Sequence, residues 1–191
     1  MDRGGGMPSP RRATLVLWVA VVALTHFDRG ATTVAAMDAV AAWGGHGVGE
    51  EKLSMGRAVA LSAWHSVGLA LGSMLAGAAF QQVSAKALLV LALLVDAGAV
   101  LAVGLQAEAG IVEMSFWRLI SGLAAAFPLV YLPLWVDEFS PSEAGGQWMA
   151  IVQIGTPLGQ FLGVLVAALA TAAQASSGLG WRLGLLAQAM L

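Results

Sequence analysis

A helix that crosses a lipid bilayer needs about 20 largely apolar residues in succession, and this sequence supplies five such runs and the beginning of a sixth. The first covers 13–37, behind a short tail (1–12) that carries Arg3, Arg11 and Arg12. The next four cover 58–82, 86–106, 111–136 and 147–174. A last stretch, 182–191, follows Trp181 and has about half the length a span requires. The chain therefore reads as an all-α membrane protein whose transmembrane bundle occupies 13–191, with an incomplete sixth helix, and as a fragment of something longer.

Only 10% of the 191 residues are charged, against about a quarter in a soluble domain, so the expected partner of most of the surface is the lipid bilayer. A net charge of -2 without a long basic stretch leaves no footprint for nucleic acid. There is no cysteine, and hence no disulfide framework, thiolate zinc site or cysteine nucleophile. Neither a His-Glu-x-x-His nor a Gly-x-Ser-x-Gly motif is present, and Ser121 has no recognisable base. No enzymatic activity, metal or cofactor is expected on those grounds. The first run follows Arg11 and Arg12 as a signal peptide would, but it is long and holds Asp28 and Arg29 where a cleavage region belongs.

The arginines of the tail favour a cytoplasmic amino terminus. The connections are a polar loop holding Gly44, Gly45, Glu50, Glu51 and Lys52, a tight turn near Ser84, and loops around Glu108 and Pro141. Trp117, Trp135, Trp148 and Trp181 fall at the outer, inner, inner and outer span ends under that topology, the places where amphipathic rings settle at the headgroups.

Charges inside hydrocarbon are costly and need a partner, water or a function. Counted down from the outer ends, Asp28, Arg29, His65 and Arg118 lie roughly 10 to 14 Å deep, in one layer, so Asp28 and Arg118 are expected to interact. A carboxylate facing an arginine there releases the pairing on protonation, which is what coupling proton movement to a conformational change requires; a static ion pair is the alternative. Asp96 stands near mid-membrane without an evident partner. Small residues recur every four positions at Gly68, Gly72 and Ala76 and again at Gly155, Gly159 and Gly163, stripes that let helices approach closely. Pro128 and Pro133 in the fourth span and Pro157 in the fifth remove backbone hydrogen bonds and are expected to bend their helices.

Several segments resemble the major facilitator superfamily, and within it the Spinster-like branch of lipid transporters. THFDRGATTVAAM is similar to that family's first helix, with its Asp-Arg pair at Asp28 and Arg29. RLISGLAAAFPLVYLPLWVDEFSPSE is similar to the fourth, matching Arg118, Gly122, Pro133 and the acidic Asp137 or Glu138. MAIVQIGTPLGQFLG is similar to the fifth, matching Pro157, Gly159 and Gly163, and Trp181-Arg182 opens the sixth. The sequence departs from the family pattern at Gln81 and Gln82, where an Asp and an Arg are usual, and at Ala125, where the Spinster-like branch has a glutamate.

The resemblance implies a six-helix bundle of two three-helix repeats, the amino-terminal half of a secondary transporter, with helices one and four lining a path for a lysolipid or other small organic substrate. It also implies a carboxy-terminal six-helix half as partner, because alternating access rocks one bundle against another. The departures favour a second reading, a non-transporting half-bundle that binds a partner through its glycine-lined faces.

Overall fold

A computed structural model describes residues 9–43, 48–105, 111–141, 143–173 and 186. All regular structure among them is helical: α1 (Ser9–Trp43), α2 (Val48–Ala79), α3 (Ala85–Leu105), α4 (Ile111–Phe139), α5 (Gly145–Gln153) and α6 (Gly155–Ala173). Five stretches within these helices are long and apolar enough to cross a membrane, the last made of α5 and α6 together. The expected sixth span, with Trp181 and Arg182, lies almost wholly outside the described residues, as does Arg3.

The helices outrun the apolar runs at their ends. α2 begins at Val48, so Glu50, Glu51 and Lys52 lie on its first turns and not in a loop; an α-helix satisfies its own backbone in water as well as in lipid, and polarity alone does not end it. The fifth run is interrupted. Pro157 has no N–H to offer the Gln153 carbonyl, and the chain responds at Ile154, whose N–H turns back to the Ile151 carbonyl at 3.2 Å before helical bonding resumes from Leu158 N–H to the Ile154 carbonyl. Pro128 and Pro133, by contrast, sit inside an α4 that continues to Phe139.

Burial is inverted relative to a soluble protein. Leu91, Leu94, Met74, Phe161 and Leu169 are exposed, whereas Thr25, His26, Asp28, His65, Asp96, Arg118 and Ser121 are buried, the distribution expected when the outer medium is hydrocarbon. With no apolar burial from water to drive association, the helices are held by close packing of small residues. α1 lies along α6, α2 along α4, and α3 leans chiefly on α4.

The two glycine stripes make the first two contacts. A Cβ at Gly159 or Gly163 would run into the carbonyl oxygen of Ala23 or Phe27 on α1, and one at Gly68 or Gly72 into that of Leu119 or Leu123 on α4. Gly155 also lies close against Val19 and Val22, and Ala76 is fully buried. Each interface is tight from both sides: Gly30 meets the Gln160 carbonyl, and Gly122 meets that of His65. In each pair the contacts advance by four residues on both helices, so the partners run parallel, as the first and fifth passages, and the second and fourth, must. Leu119 follows Phe27 by 92 residues and Gly163 follows Gly68 by 95, so the two interfaces repeat one another at a nearly constant offset.

Two apolar clusters close the ends. Phe27, Ala31, Leu61, Val100, Val103, Met114 and Ala167 form one. Leu15, Trp18, Val22, Leu132, Trp135, Val136, Trp148 and Val152 form the other. In the second, Trp135 stacks on Trp148 with ring centroids 5.7 Å apart and tilts against Trp18 at 5.8 Å. Trp135 and Trp148 are therefore buried inside the bundle and do not face the headgroups; helix-end position put them at the right height, but direction around the helix turned them inward.

Candidate functional site

Between the two clusters, along α1 and α4, the buried side chains become polar. Asp28 (1% exposed) projects from α1 and pairs with Arg118 (4% exposed) of α4, the Arg118 Nη1 donating to Asp28 Oδ2. The other carboxylate oxygen accepts from the Thr32 hydroxyl at 3.1 Å, one helical turn on; the same hydroxyl also reaches the Asp28 backbone carbonyl at 2.6 Å. His65 (3% exposed) arrives from α2 with Nδ1 3.9 Å from Asp28 Oδ2, the oxygen that Arg118 holds. Three of the four groups assigned to one depth thus meet at one carboxylate, drawn from α1, α2 and α4.

Arg29, the fourth, does not join them. Neighbouring residues on a helix point about 100° apart, so Arg29 leaves α1 in another direction, is half-buried, and forms no ion pair among the described residues. Asp96 makes no ion pair among the described residues, but it has the partner that sequence did not reveal: Ser121 of α4 donates to Asp96 Oδ1 at 2.6 Å. Ser121 lies three residues after Arg118, hence on the same helix face, and that spacing was the available signal. His26, unremarked in the sequence, is buried two residues before Asp28 on α1, with Nδ1 2.9 Å from the Val22 carbonyl.

The cluster's hydrogen bonding is incomplete. His65 Nδ1 and Arg118 Nε are buried and have no hydrogen-bond partner among the described residues, so Asp28 is the main anchor for two nitrogen groups. Removing its negative charge would leave Arg118 without its ion-pair partner. No group of three or more His, Cys, Asp or Glu able to hold a metal ion occurs among the described residues. The glycine stripes are fully occupied by helices of this same chain, which leaves those faces no room for a partner helix.

Five apolar, span-length stretches of helix that bury a carboxylate–guanidinium pair are the construction of an integral, multi-pass membrane protein. The family profile of the sugar (and other) transporters matches residues 25–191, from just before Asp28 to the last residue. The chain belongs to that family, and so to the major facilitator superfamily, a family of transporters and not of enzymes. No curated protein and no solved structure matches it.

Proposed function

We propose that this protein is the amino-terminal, six-helix part of a secondary active transporter that moves a small organic substrate by alternating access, with protonation of Asp28 as the coupling event. The observation that carries the reading is the buried pair of Asp28 on α1 with Arg118 on α4. It joins the first helices of the two three-helix repeats, a location where neutralising one carboxylate changes how the repeats hold each other. His65 brings Nδ1 to 3.9 Å from the same oxygen, and Arg29 flanks the path. A second six-helix half facing α1 and α4 completes the route, and the amino-terminal tail lies in the cytoplasm.

The family's name favours a sugar as substrate; a lysolipid is the alternative, favoured only by the resemblance of the first, fourth and fifth spans to Spinster-like transporters. The test is uptake by the full gene product in proteoliposomes, with labelled hexose in one arm and labelled lysolipid in the other, with and without an inward proton gradient. Gradient-driven uptake of one substrate that Asp28→Asn abolishes, while gradient-independent exchange survives, is the expected result. Uptake that ignores both the gradient and Asp28→Asn would remove proton coupling, and no uptake of either substrate would remove these two substrate classes.

A further inference from the structure

Asp96 is a buried acid that the coupling pair does not use. It lies on the inward stripe of α3 with Ala92, Ala99, Val100 and Val103, near the middle of a span with only one hydrogen-bond donor, the Ser121 hydroxyl. The charged groups that face it are Arg118 on α4 and Asp28 on α1. These two already hold each other, and among the described residues no cation pairs with Asp96. An ionised carboxylate in such a place would be desolvated with a single neutral hydroxyl as compensation, an arrangement that buried charges in membranes avoid by pairing or by taking up a proton.

We infer that Asp96 crosses the α3–α4 interface as a neutral carboxylic acid, a hydrogen-bonding latch onto Ser121, and stays outside the charge exchange between Asp28 and Arg118. Because Ser121 is one turn from Arg118 on α4, the latch makes α3 follow the helix that carries the coupling arginine. Asp96 is then a positioning residue. The inference rests on α3 and α4 spanning a membrane and is independent of whether the protein transports anything.

Infrared spectroscopy of the purified full chain at neutral pH tests it without a transport assay. The wild-type minus Asp96→Asn difference spectrum is expected to contain a carbonyl stretch of a protonated acid that shifts in D₂O. That band persists in Asp28→Asn and moves to higher frequency in Ser121→Ala, where its hydrogen bond is gone. Asp96→Asn, neutral and still an acceptor, melts close to wild type, whereas Asp96→Leu melts lower. A difference spectrum with only carboxylate bands at neutral pH would overturn the inference. If Asp96→Asn does not fold, the Ser121→Ala spectrum decides: a shifted acid band supports the latch, and an unchanged spectrum in the acid region sinks it.

Discussion

The α1–α6 and α2–α4 interfaces have the same backbone design and different chemistry. In both, glycines four residues apart lie against the carbonyls of a parallel helix, and that helix returns a glycine of its own, Gly30 in one and Gly122 in the other. Position by position, Gln160 in the first occupies the place that His65 occupies in the second, each offering its carbonyl to the opposite glycine. Carrying the 92-residue offset along α1 places Arg118 opposite His26. Close approach is thus a property of the fold, present in both copies, while the α2–α4 pair supplies two of the three members of the ionisable cluster, His65 and Arg118. What the copies share is architecture; where they differ is the place to look for function.

The largest effect that separates the two is expected from Arg118→Ala. It leaves the Asp28 carboxylate buried without its cation, a change that in buried ion pairs costs about 3–5 kcal/mol, and it should appear as a sharply lowered melting temperature or lost expression. His26→Ala, at the equivalent position of the other interface, should be much milder. Equal losses would mean that the pair contributes no more than ordinary packing.

The shared feature is tested next by Gly30→Leu and Gly122→Leu. Each side chain would meet a backbone carbonyl that cannot move aside, and overpacking of this kind costs about 1–3 kcal/mol. The two should lose similar stability, whereas Gly98→Leu, where a Cβ meets nothing, should melt near wild type. A large loss at Gly122 with none at Gly30 would break the equivalence of the interfaces. The smallest effect is expected from His65→Gln, which gives the α2–α4 interface the residue its counterpart already has. A stability change under about 1 kcal/mol is expected from losing one interhelical polar contact, with uptake slowed but retained. A loss as deep as that of Arg118→Ala would show that the pair depends on a charge carried by His65.

Much of this was legible in the sequence because a bilayer restricts what a chain can do. Apolar length gave the spans, four-residue spacing gave the glycine faces, and depth counted along helices brought Asp28, His65 and Arg118 to one level. Direction was harder to read. Depth alone put Arg29 beside Asp28, although adjacent residues of a helix cannot face the same neighbour, and it set Trp135 and Trp148 at the membrane surface when they stack inside the bundle. The partners of Asp96 and of the Asp28 carboxylate, Ser121 and Thr32, escaped notice because a hydroxyl in an apolar run is a weak signal, readable only from its spacing of three residues from Arg118 and four from Asp28. The break at Ile154 could be traced to Pro157, but Pro128 and Pro133 lie inside an unbroken α4, so a proline alone does not decide whether a helix is interrupted.

The pairing of Asp28 with Arg118 also sets a problem of timing for the ribosome. The two residues are 90 positions apart, and at ordinary rates of synthesis the arginine emerges roughly 5 to 20 seconds after the aspartate. Throughout that interval α1 carries a carboxylate without the arginine that will pair with it, and the glycines of α6 that will clasp it do not yet exist. The first helix is therefore a poor candidate for early release into lipid and a natural client of the insertion machinery, to be held at its lateral gate until the fourth passage arrives.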